Sequence, residues 1–404
     1  MKVLLTTDRY YPYVSGVITS VMNLAKELEK KGHEVKILTL SETKSTYVSG
    51  NIIYVGSFDA GKIYPDIRLK HVIKRKVINE IIDWKPEIIH SNCEFSTFFL
   101  AKIIARSRKI PMVHTYHTDY EDYVHYVAMT KEMGMHIVKR YIHYVSSYMQ
   151  RLICPTQKTA AILSKYNITV PMDIIPTGLD LERFEAELPI NRRAEIITKY
   201  GLNPTLPVLL FIGRIGKEKN IEEILGLLEK NPRKDYQFLI VGDGPNKAEL
   251  ENKVANSSLK GRVTFTGMVP QAEIADYYKL GKIFISASQS ETQGLTYIEA
   301  LSSGVPLICK KDDCLTNVIL QGYNGFQYET AQDFDKYLNY LLDLSQKEYA
   351  KLSAFAKENA HKTFSSTVFC DKVLTCYDAA IKKPIANRFF KDFYYHISKA
   401  FPFV

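Results

Sequence analysis

The chain has 404 residues, 46% of them hydrophobic and 24% charged, with a formal net charge of +9. That length suits two domains of ordinary size, and that balance excludes a disordered or low-complexity polypeptide. The positive excess is uneven: residues 1–180 carry 24 Lys and Arg against 17 Asp and Glu, a net of +7, residues 381–404 add +4, and the stretch between them is at −2. A basic half and a basic tail suggest a domain that faces an anionic surface, nucleic acid or membrane. No nucleic-acid motif accompanies the charge, so nucleic acid is not an expected partner. Six cysteines without a CxxC pair read as reduced, mostly buried thiols of a cytoplasmic protein. The N-terminal apolar run is too short for a signal peptide, and no stretch approaches the ~20 apolar residues of a membrane span. Membrane contact is therefore expected to be peripheral.

In chain order, KVLLTT (2–7) is a strand-like run, and a helical pattern follows from Val17 to Lys31, stopped by Gly32. HEVKILTL (33–40) and NIIYVGS (51–57) read as strands, and a basic helix pattern covers 66–83. PEIIHS (86–91) is a strand, 94–108 a helix, and PMVHTYH (111–117) a strand; RLICPT (151–156) and MDIIPTG (172–178) close this half. A polar stretch over 179–206 reads as a linker. The alternation then restarts: strand 207–214, helix 218–229, strand 236–242, helix 246–257, strand 262–267, helix 270–280, strand 282–288, a helix from 294, and strand 305–310. Such alternation predicts parallel sheets with helices on both faces. The fold class is α/β, two Rossmann-like doubly wound domains facing across a cleft, with ligands at the carboxyl ends of the strands. The expected boundaries are 1–180, 200–380 and a basic aromatic tail over 381–404.

Four constellations are candidates for chemistry. TDRYYPYVSGVITSV (7–21) ends a strand, carries Gly16 in a loop and begins a helix, whose free N–H groups would suit a phosphate. The GxGxxG dinucleotide fingerprint is absent. FIGRIGKEKN (211–220) places Arg214 after a strand and Lys219 near a helix start; two cations there would neutralise a leaving diphosphate, although spacing alone favours a solvated charge run. HTYHTDYEDYVHY (114–126) gathers histidines and acids. His114 and His117 would point to opposite faces of a strand and no HExxH appears, so zinc is not expected. His117, at the strand's carboxyl end, is placed to touch a substrate. SETQGLTYIEALSSG (290–304) sets Glu291 and Glu299 around a helix start. Acids at a helix N-terminus complement the dipole. Alternatively, Glu291 binds sugar hydroxyls and Glu299 ribose hydroxyls, while the N–H groups of Gly294 and Leu295 face a diphosphate. Asp333 and Asp335 have the spacing of a DxD metal motif but lie in a helical pattern, so no required metal is expected.

Gly16, His117, Arg214, Lys219, Glu291 and Glu299, in this order, resemble the family 4 retaining glycosyltransferases of GT-B fold. The resemblance covers nearly the whole chain, and the E-x7-E stretch with its internal Gly-Leu is its most specific part. SGVITSV, HTYHTDYEDYVHY and SETQGLTYIEA look most like the bacterial diacylglycerol glucosyltransferases. The resemblance implies a UDP-sugar donor, a membrane lipid acceptor and no cofactor. It implies that Gly16 contacts the diphosphate or nearby sugar and that Arg214 and Lys219 bind the diphosphate. It also implies that Glu291 holds the sugar's 3- and 4-hydroxyls, Glu299 the ribose, and His117 the 6-hydroxyl and reaction centre. GDGP, with Gly242 and Gly244, and TGMVP, with Met268, would line the base pocket. Ser15 stands where many members carry a second glycine. The reaction implied is front-face transfer, with the leaving phosphate deprotonating the acceptor.

The tail KKPIANRFFKDFYYHISKAFPFV (382–404) places Ile385, Phe389, Phe393 and Ile397 four apart, with Arg388, Lys391 and Lys399 among them, as an interfacial helix on anionic lipid would. IRLKHVIKRKVINEII (67–82) and HIVKRYIHYVSSYMQR (136–151) offer further basic surfaces. The expected location is the inner face of the cell membrane. Two alternatives remain at this stage: transfer to a cell-surface polysaccharide or glycosyl-diacylglycerol acceptor, and a non-catalytic nucleotide-sugar-binding membrane module.

Overall fold

The computed structural model describes residues 1–404 except 12, 14, 60–67, 71–74, 118–129 and 384–404. The tail stripe, the acidic and tyrosine-rich stretch after His117, and part of the basic 67–82 segment therefore lie outside the described residues. The chain divides into two compact units, one built from Met1–Gly178 with the chain from Phe369, the other from Leu179–Val368.

The first unit holds an eight-stranded sheet. Its strands are β1 (Lys2–Thr6), β2 (Glu34–Leu40), β3 (Tyr47–Ser49), β4 (Ile52–Val55), β7 (Ile88–Ser91), β8 (Met112–Thr115), β9 (Arg151–Cys154) and β10 (Met172–Ile174); β5 (Ser57–Asp59) and β6 (Arg68–Lys70) form a separate hairpin. The order is β10-β9-β8-β7-β1-β2-β4-β3, parallel except where β3 runs antiparallel to β4. Chain order reverses between β1 and β7, the crevice where ligands of such sheets bind. The central strands are buried over nearly their whole length, as parallel strands covered by helices on both faces must be.

The second unit has six parallel strands in the order β13-β12-β11-β14-β15-β16. They are β11 (Val208–Ile212), β12 (Gln237–Val241), β13 (Val263–Phe265), β14 (Gly281–Ser286), β15 (Leu307–Lys310) and β16 (Gly325–Tyr328). Its reversal lies between β11 and β14. All five residues of VLLFI in β11 are buried, which places the cations that follow at the edge of a rigid core.

Several details depart from the sequence expectations. The stretch 179–206 is not a bare linker: it forms helices Glu182–Glu185 and Ile190–Lys199, with Leu181, Phe184 and Ile196 buried in the second unit's core. Residues 68–70 are a strand rather than the start of a helix. Arg68 is drawn inward, its Nε donating to Ser57 Oγ at 2.8 Å and its Nη2 to the Glu42 carbonyl at 2.7 Å. The expected second domain ends at 380, whereas the helix Ser366–Ile381 passes back to the first unit from Phe369. Its stripe Phe369, Val373, Cys376, Tyr377 and Ala380 packs among Val3, Leu5, Ile18 and Leu24, and supplies the cover that β1 lacks.

Candidate active site

In the second unit the expected donor-binding residues stand on loops at the carboxyl ends of β11 to β14, apart from Leu295 and Glu299, which lie in the helix that follows β14. Arg214 is exposed in the loop after β11, and Lys219 ends the short 3-10 helix Lys217–Lys219. The Lys219 ammonium forms an ion pair with a Glu291 carboxylate oxygen, both side chains being about one-fifth exposed. Ser288 Oγ donates to the same oxygen at 3.4 Å. Cation and acid thus meet at the reversal of strand order, though 72 residues separate them in the chain. Arg214 makes no ion pair or hydrogen bond among the described residues, which leaves its fork of donors available to an anion.

The helix after this loop runs Leu295–Ser302, slightly later than its acidic pattern suggests. Gly294 precedes it at φ +72, and no side chain caps it. A Cβ on Gly294 would lie 2.3 Å from the Tyr297 ring, so glycine is required on steric as well as conformational grounds. The uncapped first turn leaves backbone N–H groups for an anionic ligand. Glu299 lies on this helix and is buried. Its Oε2 accepts from the Tyr278 hydroxyl at 2.7 Å, and its Oε1 stands 3.9 Å from Arg183 Nη2. Burial raises its carboxyl above the usual range, while the Tyr278 bond and the Arg183 charge pull it back.

The glycines of the two neighbouring loops let three chain segments touch. Gly242, at φ +137, donates its N–H to the Gly267 carbonyl at 3.1 Å, and a Cβ there would lie 2.0 Å from the Gly213 carbonyl oxygen. A Cβ on Gly244 would lie 2.3 Å from the Ile215 oxygen. Met268, just beyond, is 78% exposed. Asp333, weighed as a metal ligand, instead completes a capping box with Thr330, and Asp335 accepts from Asn231 Nδ2 at 2.5 Å. Among the described residues no three His, Cys, Asp or Glu side chains converge as a metal site requires.

In the first unit, Gly16 is the first residue of helix Gly16–Lys30. Ser15 is its N-cap, its hydroxyl accepting from the Ile18 N–H at 3.3 Å, which gives a local reason for serine at that place. His117 lies just past β8, half-buried, with Nε2 3.1 Å from Asn92 Oδ1. Burial pushes it down to about 4, so it is neutral at physiological pH.

Around His117 the structure shows a polar cluster that motif spacing did not single out. His114 Nε2 is 3.1 Å from Glu94 Oε1, and the Glu94 carbonyl accepts from the Tyr141 hydroxyl at 2.5 Å. His90 is bracketed by Tyr377 at Nδ1, 2.8 Å away, and by Thr115 at Nε2, 2.7 Å away. Asp8, just beyond β1, accepts from the N–H groups of Ser96 and Thr97 at 3.1 and 2.7 Å and from the Thr97 hydroxyl at 2.5 Å. It thereby caps the helix Ser96–Arg108, whose own N-cap Phe95 makes no side-chain bond. Burial raises Asp8 to about 6 despite these bonds. The signal for this cluster was available: Asp8, Asn92 and Glu94 each follow a predicted strand by a few residues.

A doubly wound unit with cations, a carboxylate and an uncapped helix at its sheet reversal has the parts that an anionic, nucleotide-like ligand requires. The model for glycosyltransferase family 4 matches residues 14–183, and that for glycosyl transferases group 1 matches 192–362. The chain is 38% identical to an alpha-monoglucosyldiacylglycerol synthase of Streptococcus pneumoniae, over 82% of this chain and 76% of that one. It is 29% identical to a protein of the same name from Acholeplasma laidlawii, over 87% of this chain and 94% of that one. It therefore belongs to the family 4 glycosyltransferases. The crystal structure of Anabaena HepE in complex with UDP and glucose superposes with a TM-score of 0.71 at 14% identity, covering 94% of this chain and all of that one; it supports the GT-B fold.

Proposed function

We propose that this protein is a retaining glucosyltransferase that moves glucose from UDP-glucose to 1,2-diacylglycerol at a membrane surface, forming an α-glucosyl lipid. The observation that carries the proposal is the meeting of Lys219 and Glu291 at the reversal of the second sheet, beside the uncapped helix and Arg214, which is unpaired among the described residues. The monoglucosyl-diacylglycerol product is suggested by the names of the two synthases to which the chain is similar, and the UDP-sugar donor is the one that the motif resemblance implies.

In this reading the diphosphate lies against the first turn after Gly294, with Arg214 and Lys219 on its oxygens. Lys219 exchanges Glu291 for the phosphate, and the freed carboxylate accepts from the 3- and 4-hydroxyls of the glucose. Glu299 holds the ribose, and the loops of Gly242, Gly244 and Met268 line the base. The bond from the anomeric carbon to the diphosphate oxygen breaks, and negative charge builds on that oxygen. Fixed cations and N–H groups aimed at this charge lower the barrier. The acceptor hydroxyl then bonds to the anomeric carbon on the same face, and its proton passes to the departing phosphate oxygen. His117, being neutral, hydrogen-bonds the 6-hydroxyl.

The acceptor belongs to the basic first unit. On its helix Lys131–Ser146, Met133 and Ile137 are exposed one turn apart, with Arg140 exposed on the next turn. An apolar pair beside a cation suits an anionic lipid surface. No helix among the described residues is long and apolar enough to cross a membrane. The basic tail and the 67–82 segment would add to a peripheral attachment at the inner membrane face. The test is a panel of labelled UDP-sugars offered with diacylglycerol, glucosyl-diacylglycerol and polyprenyl-linked acceptors in anionic micelles. Label appearing from UDP-glucose in a monoglucosyl lipid supports the proposal, and label only in a polyprenyl-linked or diglycosyl product refutes it.

A further inference from the structure

Glu299 carries a question that the donor reading leaves open. A carboxylate in a buried place is costly unless its acceptor sites are filled. Here one oxygen has a single close donor, Tyr278, and the other faces Arg183 at 3.9 Å. An ionised carboxylate offers about four acceptor positions, so room remains for two further donors.

The two residues that hold it are themselves held. Tyr278 is wholly buried at the end of the helix Ile274–Tyr278, its ring stacked 6.0 Å from Phe284 and set edge-on to Phe184 at 5.7 Å. The Arg183 guanidinium lies 4.5 Å over the Phe184 ring, and its Nη1 donates to the Gln271 carbonyl at 3.3 Å. The Lys279 ammonium closes the frame by donating to the Arg183 carbonyl at 3.0 Å. The short helix Glu182–Glu185 is thus tied to the segment 271–279, and both act on one carboxylate. A carboxylate with two fixed oxygens is complementary to a vicinal diol, each hydroxyl giving one bond.

We propose that Tyr278 and Arg183 are positioning residues that orient the Glu299 carboxylate onto the two ribose hydroxyls, and that they set the preference for a ribonucleotide donor over its 2′-deoxy counterpart. The inference rests on the donor reading above. Tyr278 pins Oε2 by a direct hydrogen bond. Arg183 faces Oε1 at 3.9 Å and its charge opposes the upward push of burial on the carboxyl. Without them the buried acid loses the contacts that fix both of its oxygens and is free to rotate away from the diol.

The experiment is calorimetric titration of the full chain with UDP and with 2′-deoxy-UDP, in wild type, Tyr278→Phe and Arg183→Met, with thermal unfolding of each. One hydrogen bond to a charged group corresponds to a preference of about 10–100-fold for UDP in the wild type. Tyr278→Phe is expected to bring the ratio close to unity while leaving 2′-deoxy-UDP affinity little changed; the unfolding temperature falls modestly, because the buried carboxylate loses its one close donor. Arg183→Met is expected to move the ratio the same way; its side chain is 39% exposed, so its removal leaves the core intact. Variants that keep the wild-type ratio, or lose affinity for both ligands equally, overturn the inference. So does a wild type that binds both ligands alike. A wild type that binds neither nucleotide overturns the donor reading itself, a result visible without any variant.

Discussion

Replacing Lys219 by methionine separates the catalytic from the structural role of its pair with Glu291. Each side chain is about one-fifth exposed, so the pair lies between a surface ion pair, worth up to about 1 kcal/mol, and a buried one whose breakage costs about 3–5 kcal/mol. Ser288 Oγ stays 3.4 Å from the orphaned carboxylate and softens the loss, so a destabilisation of ~1–2 kcal/mol is expected for Lys219→Met. Adding Glu291→Gln removes the unpaired charge and should restore most of that stability. Activity should behave otherwise. A fixed donor aimed at developing charge contributes about 10²–10³ in kcat, so Lys219→Met should lose about that much, and the double variant should recover none of it. The assay is steady-state transfer with saturating acceptor, paired with urea unfolding of the same preparations and read as a double-mutant cycle. If activity returns together with stability in the double variant, Lys219 serves the fold and the diphosphate assignment fails.

Three further outcomes follow from the geometry. Gly242→Ala places a methyl group 2.0 Å from the Gly213 carbonyl oxygen at φ +137, and should destabilise the second unit by roughly 2–4 kcal/mol in urea unfolding. Asp8 titrates from 3.8 up to about 6 on folding. An acid raised by the fold favours the native state below its unfolded pKa and loses that contribution as pH rises through the folded value. The stability of Asp8→Asn relative to wild type should therefore rise by about 3 kcal/mol between pH 3.5 and pH 7; a pH-independent difference would contradict the burial argument. Binding to vesicles with anionic lipid should weaken as salt is raised from 0.05 to ~0.5 M and vanish on neutral vesicles, whereas salt-insensitive binding would remove the basic-surface account.

Both sheets were legible because their strands are short unbroken apolar runs, such as VLLFI and FLIV, separated by helical periods, and parallel pairing requires that pattern. The strand β16 and the β5–β6 hairpin were not, since they are short and mixed in polarity, and their pairing is set by partners distant in sequence. The boundary at 178 was obscured by Glu182–Lys199, polar along the chain yet anchored by the isolated apolar residues Phe184 and Ile196. Arg214, Lys219 and Glu291 were singled out by motif as candidates, and only the fold brings Lys219 and Glu291 into contact. Tyr278 and Arg183 could not be found in that way. Their relation to Glu299 arises from packing across the helix Ile274–Tyr278 and the strap Glu182–Glu185, a contact that no spacing in the chain encodes.

The most direct measurement is a crystal structure with UDP-glucose bound. The account predicts the diphosphate within hydrogen-bond distance of Arg214, Lys219 and the first N–H groups after Gly294. It predicts that the Lys219–Glu291 pair has opened and that Glu291 lies against the glucose hydroxyls. A donor bound away from these side chains, with that pair still closed, would contradict it.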